Sequence, residues 1–473
     1  MNIKLSWGMI TNMLEGESSC RAVFTIQNNA NQTLGNSGWA IYYSQSPREI
    51  TNAPNTKAIV KHISGDWFKI IPEQGFSLAT EEKLVVHYDL SHYLINETDA
   101  PLYPYIVRYD ENGNETSIEK ISDYTVFPFE KPEQINRGAN DVVPIPTPAN
   151  RYQNNQGLSL LADNTLHKII PTPVHVNPED GNLNITNALK IYYSSELKSE
   201  AIYIREMLQN ITGTKFSILE KDYKNGKAIV LNSKPLNING ISSEAYMLEI
   251  SSNKGVVITG SDPTGVFYGI QSLMSLMPLE IFQTSQNTIT VPNIRVEDAP
   301  RFPYRGQHLD VCRNFFAKST VLKLLDLMAF YKLNHLQLYL SEDEGWRIEI
   351  EDLPELTAVG AQRQHISKDA AALHPSYGSG PNSYEKDTHG SGYYSKEDFI
   401  EILKYAHKKH IKVIPTINFP GHARAAIKAM EARYNNFMEK GQEKLANEYR
   451  LIDPDEKSKY SSAQGYDDNV VNV

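Results

Sequence analysis

The stretch Phe302-Pro-Tyr-Arg-Gly-Gln-His-Leu-Asp-Val-Cys-Arg313 reads as a short strand, about Gln307 to Val311, with an arginine just past its end. It opens a repeating pattern. Ser319 to Tyr331 has helical periodicity, with Ser319 suited to the N-cap. His335 to Leu340 reads as a second strand and runs into Ser341-Glu-Asp-Glu-Gly-Trp-Arg-Ile-Glu-Ile350. A long loop, 351–392, is rich in Gly, Ser, Pro and His. A helix over Lys396–His410, a third strand over Lys412–Ile417 and a further helix after Pro420-Gly421 follow. Repeated strand–helix units imply a parallel sheet with right-handed crossovers. In a parallel α/β barrel the chemistry sits on the loops after the strands. The expectation for residues 300–473 is therefore the first part of a parallel (β/α)8 TIM barrel, about three βα units.

Outward from this stretch, the sequence changes character twice. Residues 1–135 carry short β-branched and aromatic runs such as Arg21–Ile26, Trp39–Tyr43, Lys83–Tyr88 and Leu102–Tyr109, separated by Asn/Gly/Ser clusters. That pattern suggests a β-sandwich. Its tryptophans, Trp7, Trp39 and Trp67, are read as core residues in preference to exposed sugar-stacking platforms. Residues 136–160 read as a linker, because the alternating prolines of Val142-Val-Pro-Ile-Pro-Thr-Pro148 hold an extended chain. Residues 161–299 mix strands (Ala188–Tyr193, Lys227–Leu231, Ala245–Ile250, Gly255–Gly260) with helices (Glu196–Thr212, Thr264–Met277), an α+β domain.

Composition narrows the function classes. The net charge is −10 and no basic run of five or more occurs, which argues against a nucleic-acid partner on electrostatic grounds. No apolar run reaches the length of a membrane span, and Met1-Asn-Ile-Lys-Leu-Ser-Trp7 shows no signal-peptide pattern. The two cysteines, Cys20 and Cys312, fall in different expected domains and read as free buried thiols. No phosphate-binding glycine loop, GxSxG elbow or CxxC occurs, and no cofactor is expected. His365, His374 and His389 lie at spacings foreign to zinc sites, so no metal is expected.

Three polar groups follow three successive strand ends. Arg313 offers a planar fork of donors for sugar hydroxyls or a carboxylate; a rim ion pair is the structural alternative. Glu342-Asp343-Glu344 repel one another, so at least one needs a raised pKa or a cation if the site is dry. His422 can bridge a strand-two carboxylate to a group on a later strand and so tune a catalytic acid.

In addition, Tyr304-Arg-Gly306, Asp310-Val-Cys-Arg313, Tyr331-Lys-Leu-Asn334, Glu344-Gly-Trp-Arg-Ile-Glu-Ile350, Leu353–Gly360, Pro420-Gly-His-Ala-Arg-Ala-Ala426 and Asn447–Leu451 occur in order. In these motifs the chain resembles the family-20 glycoside hydrolases, the β-N-acetylhexosaminidases, and among them the bacterial chitobiases. The resemblance implies a carbohydrate-binding-like first domain, a family-specific second domain and a catalytic barrel. It implies exo-hydrolysis of terminal N-acetylglucosamine or N-acetylgalactosamine residues, by a retaining mechanism in which the substrate's own acetamide attacks the anomeric carbon. It assigns Arg313 to substrate hydroxyls, and Glu342, Asp343 and His422 to support of the general acid. It also implies a periplasmic or secreted setting. The family's Gly-Gly-Asp-Glu motif, which carries the acid/base pair, does not occur in these residues, so this polypeptide alone is expected to be nearly inactive. Gln337, Tyr339, Glu342, Thr416 and Asn418 depart from the family's usual residues. The competing reading is a non-catalytic sugar-binding relative.

Overall fold

The computed structural model describes residues 2–14, 19–53, 57–138, 140–144, 147–160, 168–367, 371–385, 388–455 and 461–472. The N-terminal region is two five-stranded sheets packed face to face. Strict alternation along Ser19–Asn28 buries every second residue, as a half-buried antiparallel strand requires. Trp7, Phe24, Tyr43, Phe68 and Tyr88 interleave between the sheets. Trp7 and Trp39 are core residues, and Trp67 is buried beneath a loop of the third region. The Trp7 indole N–H donates to the Tyr88 hydroxyl at 2.8 Å, which satisfies a buried donor.

The proline-rich connection is not wholly extended. Residues 145–146 lie outside the described residues, but Pro148–Asn154 is a helix. Thr147 caps it by accepting from the Asn150 N–H, and Pro148 is tolerated at the first helical position. The next region is a seven-stranded mixed sheet. Its helices Lys198–Thr212 and Pro263–Ser275 bury apolar stripes that include Ile204, Leu208, Phe267 and Ile270. The strand expected from Ala188 is only Ile191–Tyr193, preceded by a turn in which the Leu189 N–H donates to the Thr186 carbonyl.

In the third region Gly306–Asp310, His335–Tyr339 and Lys412–Thr416 form a parallel sheet, with Gln307 opposite Leu336 and Leu336 opposite Val413. Helices Lys318–Phe330, Lys396–His407 and Arg424–Glu439 follow the pattern read from the sequence. Ser319 is not the N-cap. The helix begins at Lys318 with Ala317 at the cap and no capping side chain. Ser395 does cap the next helix, in a capping box with Asp398. That helix stops before His410, which sits at φ 56°, in the left-handed region that turns the chain into the third strand.

One apolar core runs unbroken from Ile204 and Ile258 of the middle region to Leu325, Leu336 and Leu338 of the third. Arg305 ties the two regions. It donates to Glu244 Oε2 at 2.7 Å, to the Tyr268 hydroxyl at 2.8 Å and to the Lys332 carbonyl at 2.8 Å. Asn334 caps the same joint by accepting from the Arg305 N–H at 2.9 Å. The Tyr-Arg-Gly and Tyr-Lys-Leu-Asn motifs are thus joints at the strand starts, far from the strand ends where chemistry is expected. Cys20 and Cys312 are both buried, free thiols.

Candidate active site

Strand two does not end in an open loop. Ser341–Glu342 and Gly345–Trp346 pair as a short antiparallel hairpin that turns the acidic triplet inward. Glu342, Asp343 and Glu344 are all buried, so the triplet is not a solvated loop. Gly345 is required here, because a Cβ would sit 2.6 Å from the Arg347 guanidinium.

Arg313 meets the cluster from strand one. Its Nη1 lies 2.7 Å from Asp310 Oδ2 and 2.9 Å from Glu342 Oε1, and its Nε is 3.2 Å from Glu344 Oε2. The ion-pair reading of Arg313 therefore holds geometrically, with partners inside the acidic cluster. Burial opposes the guanidinium charge, but Glu344 and Glu342 outweigh it and hold its pKa above the usual value. Burial would lift Asp310, but its hydrogen bond and charge contact with Arg313 bring it below the usual carboxylate range. Burial pushes Glu342 up to about 7, against the opposing charges of Arg313 and His422. Burial also raises Glu344. The sequence-level expectation of at least one raised pKa with a cationic partner is met by Glu342 and Glu344.

His422 arrives from the third strand end at φ 55°, a left-handed conformation uncommon outside glycine. Its Nδ1 lies 3.2 Å from Asp343 Oδ2 and 3.3 Å from Glu342 Oε2. Asp343 is the better-anchored partner. It also accepts from the Arg424 N–H at 3.2 Å and from Asn469 Nδ2 at 3.0 Å. Glu342 accepts instead from the Asn418 amide. The Asn418 backbone N–H donates to Ser341 Oγ at 3.0 Å. Gln337 donates to Thr416 Oγ1 at 3.2 Å, and Tyr339 packs against His308 with ring centroids 4.4 Å apart. Two pairs of departing residues, Gln337 with Thr416 and Glu342 with Asn418, thus meet across neighbouring strands.

Glu342, Asp343 and His422 bring one ligand-type atom each within 4.8 Å of one another. Their carboxylates face Arg313, Asn418, Asn469 and the Arg424 N–H, while Glu342 Oε2 accepts no hydrogen bond. His365, His374 and His389 do not converge. His374 stacks between Trp67 and Tyr466, and burial drops its pKa to about 3. His365 bridges Tyr105 and Glu115, and His389 lies against Phe316.

Sequence reasoning does not single out Asp310 or Asn469, and it marks Asn418 only as a departure from the family's usual residue. Asp310, Asn418 and Asn469 touch the cluster directly. Asp66, from a turn of the first region, accepts from the Tyr377 N–H at 2.6 Å, and burial lifts its pKa to about 7. Asp310 stood within a quoted motif; Asn469 and Asp66 carry no local signal. Two buried arginines hold the framework. Arg347 donates to the carbonyls of Val311, Cys312, Ala361, Gly390 and Gly392, and Arg363 to those of Cys312, Arg313, Glu344 and Ser376. Together they pin the loop after strand two onto the end of strand one.

Residues 302–472 match the family described as Glycosyl hydrolase family 20, catalytic domain. Residues 166–299 match Glycosyl hydrolase family 20, domain 2, and residues 4–149 match "Putative carbohydrate binding domain". The N,N'-diacetylchitobiase of Vibrio harveyi is 34% identical over 482 residues, covering 98% of this chain and 52% of that protein. A beta-hexosaminidase of Vibrio vulnificus is 34% identical over 464 residues, covering 96% and 52%. The chain thus spans about half the length of the curated relatives it matches. The crystal structure of an exo beta-N-acetylglucosaminidase from Vibrio harveyi in complex with N-acetylglucosamine superposes with a TM-score of 0.74. It is 24% identical and covers 100% of this chain and 63% of that one, a likeness of fold. No helix among the described residues is long and apolar enough to cross a membrane.

Proposed function

Because this chain belongs to glycosyl hydrolase family 20, we propose that its third region is the opening part of a (β/α)8 barrel and carries the sugar-holding and acid-supporting half of a β-N-acetylhexosaminidase site. Domain limits of 1–135, 161–299 and 300–473 around a 136–160 linker belong to the same reading. The substrate class is an oligosaccharide ending in N-acetylglucosamine or N-acetylgalactosamine. The reaction is retaining hydrolysis assisted by the substrate acetamide, which needs no covalent enzyme carboxylate.

The observation that carries this reading is the contact of His422 Nδ1 with Asp343 and Glu342, beside Arg313, across the ends of three adjacent strands. A carboxylate pair on Nδ1 fixes the orientation of the ring, so the imidazole can support a neighbouring proton donor. Asp343 holds the imidazole; Glu342 joins it to Arg313. Arg313 presents its planar fork to ring hydroxyls while its charge balances the buried acids. The family's Gly-Gly-Asp-Glu acid/base motif is not among these residues.

The test is a paired measurement on the 473-residue polypeptide. It is expected to bind N,N'-diacetylchitobiose, yet to cleave a p-nitrophenyl N-acetylglucosaminide roughly 10²–10⁴-fold more slowly than a full-length family member, the usual weight of a positioned proton donor. Turnover matching a full-length enzyme would overturn the assigned division of roles. Absence of chitobiose binding would overturn the substrate class.

Asn418 offers a sharper check. Its amide donates to Glu342, and Asn418→Asp replaces that donor by a like charge. The Glu342 pKa, about 7 in the parent, is expected to rise by about one unit, or about 1.4 kcal/mol. Carbon-detected NMR titration of the Glu342 carboxyl reads this directly. Glu342's folded pKa already exceeds its unfolded value, so its contribution to stability is present at low pH and is lost as pH rises through about 7. The variant is therefore expected to match the parent's melting temperature near pH 5 and to fall below it above pH 7. An unshifted Glu342 titration would rule out the Asn418 contact as a tuning element.

A further inference from the structure

The region matching "Putative carbohydrate binding domain" keeps its tryptophans for its core and its seam with the third region. The aromatic ring most exposed to solvent among the described residues lies elsewhere, at Tyr384, 81% exposed, on the loop after strand two. Tyr384 is not a loose side chain. Its hydroxyl accepts from Gln362 Nε2 at 3.2 Å. It sits on a turn closed by the Glu385 N–H donating to the Asn382 carbonyl at 3.2 Å and by Asn382 Nδ2 donating to Glu385 Oε2 at 2.9 Å.

Two grooves meet at this ring. One, of about 730 Å³, runs along Gln362, Ser383, Glu385, Thr388 and Tyr393. The other, of about 680 Å³, runs past Asn382 and His365 to Ile118, on an edge strand of the first region. Tyr384 and Glu385 line both, so the two form one trough across the seam between the regions. Its polar lining is made of amides, hydroxyls, carboxylates and the His365 imidazole. The lining carries two acidic groups, Glu349 and Glu385. A rigid aromatic face flanked by amide and carboxylate groups suits the apolar face of a neutral pyranose, with its hydroxyls and acetamides meeting the rim.

We propose that the Tyr384 trough is a second carbohydrate site, separate from the strand-end cluster, which takes internal units of a β-linked N-acetylglucosamine polymer by stacking on Tyr384. The ligand class rests on the function proposed above; the location rests on the trough alone. A polymer held here keeps its chain ends near the protein without occupying Arg313, which raises the local concentration of ends at the strand-end site.

The test uses the whole 473-residue polypeptide and insoluble chitin, with excess free N-acetylglucosamine present to fill the strand-end site. The parent is expected to stay bound under these conditions. Tyr384→Ala is expected to bind roughly tenfold more weakly, as truncation of an aromatic anchor does. Tyr384→Phe keeps the ring and is expected to bind like the parent. Both substitutions are on the surface, so equal melting temperatures confirm that folding is not the cause. The proposal is overturned if Tyr384→Ala binds as the parent does, if free N-acetylglucosamine releases the parent completely, or if the parent does not bind chitin at all. In each case chitobiose binding, measured separately, still decides the strand-end reading.

Discussion

Replacing Arg347 by methionine is expected to cost at least about 3 kcal/mol and to release the loop after strand two, since hydrogen bonds from a charged donor contribute about 1.5–3 kcal/mol each and here are not additive. Arg347 is fully buried. Burial, then the nearby charge of Arg363, pushes its pKa down to about 9, so the site does not welcome the charge for its own sake. What holds it is geometry: five carbonyls, from Val311, Cys312, Ala361, Gly390 and Gly392, converge on one planar fork. Methionine keeps most of the apolar stem but leaves those carbonyls without that donor. Lysine is not a rescue, because a single ammonium cannot serve five acceptors spread around a plane. Limited proteolysis within 351–392 is expected to accelerate in both variants, and chitobiose binding to fall with it, because Gly345 and Glu344 pack against this arginine and its neighbour Arg363. An unchanged cleavage pattern in Arg347→Met would refute the role.

A comparable loss is expected for Arg313→Ala, with a pH dependence that identifies its origin. Removing the cation from a buried cluster leaves Glu342 and Glu344 uncompensated, which costs about 3–5 kcal/mol when both are charged. Burial already raises both acids, and Arg313 is the strongest opposing charge on each. Without it their folded pKa values climb further above the unfolded ones. Such groups stabilise the fold below their unfolded pKa and lose that contribution as pH rises through the folded value. The deficit of Arg313→Ala should therefore be smallest near pH 4 and grow through pH 7 and beyond. Arg313→Lys keeps the charge but not the fork, so it should recover much of the melting temperature while sugar binding stays weak. A deficit that is flat with pH would show that Arg313 acts by packing alone.

How much of this was legible beforehand varies with the kind of signal. Leu102–Tyr109 and Gly255–Gly260 were bounded to the residue, because turn-forming residues flank runs rich in aromatic or β-branched residues. The parallel order of the third region followed from alternation alone. Ser319 failed as an N-cap because capping preference is worth only about 1 kcal/mol and tertiary packing sets where a helix begins. The helix at Pro148 was missed because a proline-rich run reads as extended, although proline fits a first turn once Thr147 supplies the cap.

For the site, the sequence by itself determined which groups come together. Arg313, the Glu342–Glu344 triplet and His422 each follow a strand of one parallel sheet, and strand ends on one side of such a sheet are neighbours. Tertiary structure alone decided how they pair. His422 contacts Asp343 as closely as Glu342, Asn418 takes the place opposite Glu342, and Asn469 reaches in from a distant segment. It also decided that the triplet is buried and that Arg347 and Arg363 are struts. Partner choice within a cluster depends on distances of a few tenths of an ångström and on which water is excluded, and neither quantity is encoded in residue order or periodicity.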